Sequence, residues 1–211
     1  MLHKLRVPTY KIQRLFISKK SFTLVELLIV IGIIAILSAV VVVAINPVEY
    51  NRQGRDAQRI SDIRDLNTLI SKYKFSGKRI SSIGSAQTIY VSLLDEGSSS
   101  CANLGLPALT GGWEYHCATS QDDMKKTDGT GWLPVDLADV DAVVLPLDPS
   151  NVVLGSAYYA YVTDGSDFEL QTIMESERYG ANGAEDLLTT DGGDQSDRYE
   201  TGSDLTLFPT S

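Results

Sequence analysis

One carboxylate stands alone at the head of a long uncharged run. From Phe22 to Ile45 the only charged residue is Glu26. A charged side chain at a bilayer centre costs roughly 2.5–3.5 kcal/mol on insertion scales. Near a helix start the cost shrinks, because the group can reach toward water. Glu26 still calls for a partner. Thr23-x-x-Glu26 has the spacing of a capping box, in which a hydroxyl and a carboxylate satisfy the first N–H groups of a helix reciprocally. An acid there also favours the positive end of the helix dipole. A cap needs no second molecule; a cationic group from another chain is the alternative partner.

A second set of oxygens lies near the C-terminal end. Asp191-Gly192-Gly193-Asp194-Gln195-Ser196-Asp197, followed by Glu200, gathers carboxylates on a Gly-rich stretch. Calcium takes six to eight such oxygens, so Asp191, Asp194, Asp197 and Glu200 form a calcium-ligand candidate, without the EF-hand spacing. The alternative is a solvated acidic loop. Cys101 and Cys117 are the two cysteines. An even count in an exported segment points to one disulfide closing a short loop, worth roughly 3 kcal/mol by loop entropy. Neither their spacing nor their neighbours suggest zinc. His3 and His116 fall on opposite sides of the apolar run, so they cannot pair. No Ser/His/Asp order, phosphate loop or paired-carboxylate motif stands out, and the sequence is not read as an enzyme's. Tyr158, Tyr159 and Tyr161 are read as sheet packing.

These residues are carried by sharply different segments. Six of the 18 basic residues lie in positions 1–21 with no acid, leaving 12 against 27 acidic residues from Phe22 onward, a balance of −15. Such an acidic chain is a poor binder of phosphate backbones. The run 22–45 would be ~36 Å long as a helix, enough to cross a ~30 Å hydrocarbon core. It exceeds the ~7–15 residues of a secretory h-region, and Val42-Val43-Ala44 is a weak cleavage site, so the run reads as retained. The basic leader before it puts residues 1–21 in the cytoplasm and the rest outside.

Asn46-Pro47 then predicts a kink or break, with Pro47 the kink residue. From Val48 to about Phe75, Ala57, Ile60, Ile63, Leu66, Ile70 and Tyr73 recur every three or four residues, which predicts an amphipathic helix. Arg55, Asp56, Arg59, Asp62, Arg64 and Asp65 are assigned to its other side as surface charge, and Gly77 is the stop signal. Strands are expected at Thr88–Leu93, Trp113–Ala118, Tyr158–Val162 and Phe168–Ile173, the last two joined by an Asp-Gly turn. Val135–Val144 reads as a short helix or turn, and 180–211 as loop. The expected class is α+β: one long N-terminal helix, its second half laid on a small antiparallel β-sheet. The segments are a leader (1–21), a transmembrane or core helix (22–45), an amphipathic half (46–77), a sheet domain (78–179) and an acidic Gly-rich loop (180–211).

Over residues 18–45, the order basic pair (Lys19-Lys20), small residue (Ser21), Phe22, Thr23-Leu24, Glu26 and apolar run resembles the prepilin leader of type IV pilins and type II secretion pseudopilins. Leu145-Pro146-Leu147-Asp148-Pro149, Tyr158-Tyr159-Ala160-Tyr161 and Phe168-Glu169-Leu170 resemble, more loosely, the order in major pseudopilins of the G type. The resemblance implies a pilin-like fold. It implies cleavage between Ser21 and Phe22 by a prepilin peptidase that also methylates the Phe22 amine. Glu26 becomes the fifth residue of the mature chain. Departures are Ser21 where Gly is usual, Val43 where the family often has Pro, and Ala35 in place of a mid-helix Gly, with Gly32 one turn earlier.

A cationic Phe22 amine supplies the missing partner for Glu26: in stacked copies, each Glu26 can meet a neighbour's amine and set the register. The expected product is a homopolymeric filament, with a platform membrane protein and an assembly ATPase as implied partners. Some of the resembled pseudopilins hold a C-terminal calcium. The alternatives are a minor or competence pseudopilin at a filament tip and a membrane-anchored binding module that never polymerises. Val40–Pro47, rich in β-branched residues, is the segment expected to loosen on assembly.

Overall fold

The structure is a computed structural model, and it describes residues 22–76, 83–153 and 156–209. The leader with Ser21, and Gly77, lie outside the described residues. The chain forms two compact units, one up to Ile45 and one from Asn46 onward.

The first unit contains α1, Leu24–Ile45. Leu, Ile, Val and Ala fill it, so no polar face exists. Every large apolar side chain from Phe22 to Val41 is exposed, from 47% for Val30 to 80% for Phe22 and Leu24. Leu24–Val41 has a mean hydropathy of 3.0 and is long and apolar enough to cross a membrane. A helix apolar on all sides must be covered on all sides, by lipid or by other helices. The Val40–Pro47 segment is helical as far as Ile45.

The second unit opens with α2, Pro47–Phe75. The expected single long helix is instead two. Asn46 sits at φ 46° in the left-handed region and caps α2, its Oδ1 accepting from Glu49 N at 3.4 Å. Pro47 is the first helical residue, where its missing N–H costs nothing and its fixed φ suits the helix. It starts a helix rather than kinking one. Ser76 closes α2: its N–H donates to Lys72 O and its hydroxyl to Tyr73 O.

Five strands follow: β1 Thr88–Leu94, β2 Glu114–Ala118, β3 Ala160–Thr163, β4 Phe168–Thr172 and β5 Tyr199–Gly202. Their order in the sheet is β2-β1-β3-β4-β5. The sheet is mixed, not antiparallel throughout, because β1 and β2 run parallel with Val91 opposite Cys117. A parallel neighbour needs a crossover of a dozen residues or more, and residues 95–113 supply it. The β3–β4 hairpin turns on Asp164, whose Oδ1 accepts from Ser166 N and Asp167 N at 2.7 Å each, with Gly165 at φ 94°. The stretch 180–211, read as loop, contributes β5 as the edge strand.

Alternation along the strands feeds two cores. Tyr90, Tyr161, Phe168 and Leu170 pack with Ile63, Leu66, Ile70 and Tyr73 of α2, and a 3-10 turn at Leu137–Val140 belongs to that layer. Ile89, Val91, Leu93, Ala160 and Val162 point the other way, into a second cluster with the disulfide and Phe208. Both faces are covered, so β1, β3 and β4 are buried along most of their length. Tyr159 and Tyr161 are fully buried core residues, their hydroxyls bonded to Asp62 and to Ile83 O.

Candidate functional site

Glu26 lies in the first turn of α1. Its Oε2 accepts from Thr23 N and from Thr23 Oγ1, each at 2.9 Å. Thr23 Oγ1 accepts in return from Glu26 N at 3.2 Å. This is the reciprocal capping box that the spacing predicts. Both bonds use Oε2, so Oε1 is left open to a second partner. Phe22 stands immediately before the cap with its ring exposed. The site is thus a carboxylate held in one orientation by its own helix start, on a surface otherwise uncharged and almost wholly apolar.

The second unit holds a buried charge cluster where the sequence predicts surface charge. Asp56 and Arg59 are fully buried, whereas Ala57 is exposed. Arg59 donates to Asp148 through Nε at 2.6 Å and through a terminal nitrogen at 3.0 Å, to Asp56 at 2.8 Å, and to Glu175. Asp56 accepts from Glu175 N and Ser176 N, and Asp148 from Ser150 N and Asn151 N. Arg55 pairs with Glu175 as well. These contacts tie α2 to the segments around 148 and 175. The bond from Arg55, then that from Arg59, holds the Glu175 carboxyl down at about 2. Asp148 was the available signal: an Asp-Pro in an apolar stretch is a poor surface residue and a good partner for a buried Arg.

Cys101 and Cys117 form the expected disulfide, with Cα atoms 5.5 Å apart. It ties the crossover to β2, where Cys117 N donates to Ser99 O at 2.8 Å. Asp95 organises the same loop, accepting from Gly97 N, Asn103 N and Asn103 Nδ2. His116 lies in β2, its ring 5.2 Å from that of Tyr90, and burial pushes its pKa down.

The acidic C-terminal residues serve backbone rather than one another. Asp191 accepts from Gly193 N at 3.1 Å and from Glu200 N at 2.7 Å. Glu200 is buried on β5 and accepts from Gln195 N at 2.9 Å. Asp197 has an 80% exposed side chain. Among the described residues no group of three His, Cys, Asp or Glu is placed to share a metal ion.

Glu200 instead faces Glu169 of β4. Both are buried, and each has an Oε1 with no partner among the described residues. A proton shared between the two carboxyls would satisfy both. Burial, reinforced by Glu200, pushes Glu169 up to about 9. Its Oε2 accepts from Leu207 N at 2.9 Å and Phe208 N at 3.3 Å, which fastens the C-terminal segment over the second core.

No curated protein and no solved structure gives a significant match to the chain. Residues 18–42 match the prokaryotic N-terminal methylation motif. The matched stretch runs from the end of the basic leader through the capped Glu26 and most of α1. By that match the chain carries the prepilin-type N-terminal methylation motif of the type IV pilin and pseudopilin family.

Proposed function

We propose that the chain is the structural subunit of a type IV pilus-like or type II secretion pseudopilus filament. In this reading the precursor is a single-pass protein of the cytoplasmic membrane with residues 1–21 inside. Prepilin peptidase cuts between Ser21 and Phe22, and the Phe22 amine is methylated. A platform membrane protein and an ATPase then draw the chain into a homopolymer whose core is α1 and whose surface is the acidic sheet unit.

One observation carries the proposal: the only charge on a helix that is apolar all round is a carboxylate fixed at its start. Lipid covers such a helix in the precursor, and packed copies of α1 cover it in a filament. The open Oε1 of Glu26 then takes the cationic amine of a neighbour's Phe22. In a dry bundle this pair is attractive only at the correct stagger, so it selects register as well as adding attraction.

Glu26→Gln separates the pair from the cap, because Gln keeps the capping geometry and loses the charge. The variant is expected to reach the membrane in normal amount and to drop at least about tenfold in sheared fibres, consistent with loss of a buried charge pair. Equal incorporation of the Gln variant would defeat the charge-pair mechanism.

A further inference from the structure

The sheet face opposite α2 carries a cleft that the filament reading does not use. It lies between the disulfide-tied crossover and the C-terminal segment, with a volume of about 180 Å³. Pro107, Ala108 and Leu109 form one wall, Phe208 and Pro209 the other. Tyr115 and Tyr158 also line it. These walls suit a flat ring or a short apolar body.

Two of its lining side chains carry donors with no hydrogen-bond partner among the described residues. Gln171, on β4, lines the cleft and is only 6% exposed, yet its Nε2 has no hydrogen-bond partner among the described residues. A buried amide left unpaired costs free energy that a ligand would recover. Arg198 lines the same cleft with a side chain only 20% exposed. Among the described residues the carboxylate paired with it is Asp197, 3.8 Å from Nε, beyond hydrogen-bond reach and turned to solvent. Arg59, by contrast, has its guanidinium filled by three carboxylates. The two unfilled donors therefore set this cleft apart in an otherwise acidic chain.

We propose that the cleft is a binding site for a carboxylate borne on a small apolar or ring-shaped body. The carboxylate is held by the Arg198 guanidinium, whose planar fork matches it, and by the Gln171 amide. The body lies between Tyr115, Tyr158 and the proline-lined walls. The proposal does not depend on filament assembly, since every residue involved belongs to the second unit.

The test uses the full chain in detergent micelles, titrated with benzoate and with the neutral isostere benzamide and followed by NMR shifts of the Arg198 and Gln171 side-chain N–H groups. Saturable benzoate binding is expected, with benzamide at least about tenfold weaker, the loss that one charge-assisted bond predicts. Arg198→Gln should weaken benzoate by about the same factor. Ala108→Trp, at an exposed wall position, should block the cleft and abolish the shifts with Arg198 intact and the amide spectrum of the fold retained. No saturation, equal binding of benzamide, or undiminished binding to the Ala108→Trp variant would each overturn the proposal.

Discussion

Glu169 and Glu200 set a pH dependence opposite in sign to that of ordinary surface acids. Glu169 has its folded-state pKa raised to about 9 by burial and by Glu200. A raised carboxyl keeps its proton in the folded chain and loses it in the unfolded one, so the stabilisation is complete below about 4.3 and declines as pH rises toward 9. Glu175 works the other way: held at about 2 by Arg55 and Arg59, its contribution is full at neutral pH and fades as pH falls below about 4. Melting curves should show the chain losing stability from pH 5 to pH 9. Glu169→Gln, which keeps a donor for Glu200, should flatten that slope by at least half; an unchanged slope would show that the pair does not hold the proton. At this scale Glu26 was legible in the sequence, because its capping partner is three residues away. Asp56, Arg59 and Glu169 were not. Their partners lie 89 to 119 positions distant in the cases of Asp148 and Glu175, or across a strand pair that ends in the overlooked β5.

The same distinction governs the elements. α1 and most of α2 follow from local apolar spacing, and β1 to β4 from runs of β-branched and aromatic residues. The parallel pairing of β1 with β2 depends on a long crossover that no local pattern announces. β5, Tyr-Glu-Thr-Gly, carries too little apolar periodicity to be read as a strand, and it is recruited by β4 and by the acid pair. At α2 the 3.6-residue stripe located the apolar face but not the buried charges that extend it toward the N-terminus. Arg59→Met should cost about 3–5 kcal/mol, because Asp56 and Asp148 would stay buried without their cation; chemical unfolding of the variant measures this, and a loss under about 1 kcal/mol would contradict the buried network. Replacing Cys101 and Cys117 with serine should cost about 3 kcal/mol by the loop-entropy estimate, with amide exchange rising first in 95–113, the crossover that the disulfide ties to β2.

For the whole molecule, the division at Asn46 separates two jobs. From Phe22 to Ile45 the chain is an apolar segment with one fixed carboxylate, suited to lipid and to packing among copies of itself. From Asn46 onward it is a sheet unit with cores on both faces and a strongly acidic surface, suited to water. The prepilin-type motif falls on the first part, where sequence and structure agree residue by residue from Thr23 to Glu26. Assembly depends most directly on what happens at Phe22 in this reading, since a cut there frees the amine that Glu26 is proposed to meet. Mass spectrometry of the N-terminus, on protein recovered from cell-surface fibres and from membranes, tests this directly. Chains that begin at N-methylated Phe22 are expected in the fibres. Fibres or membranes containing only chains that begin at Met1 would contradict it and leave a plain membrane anchor.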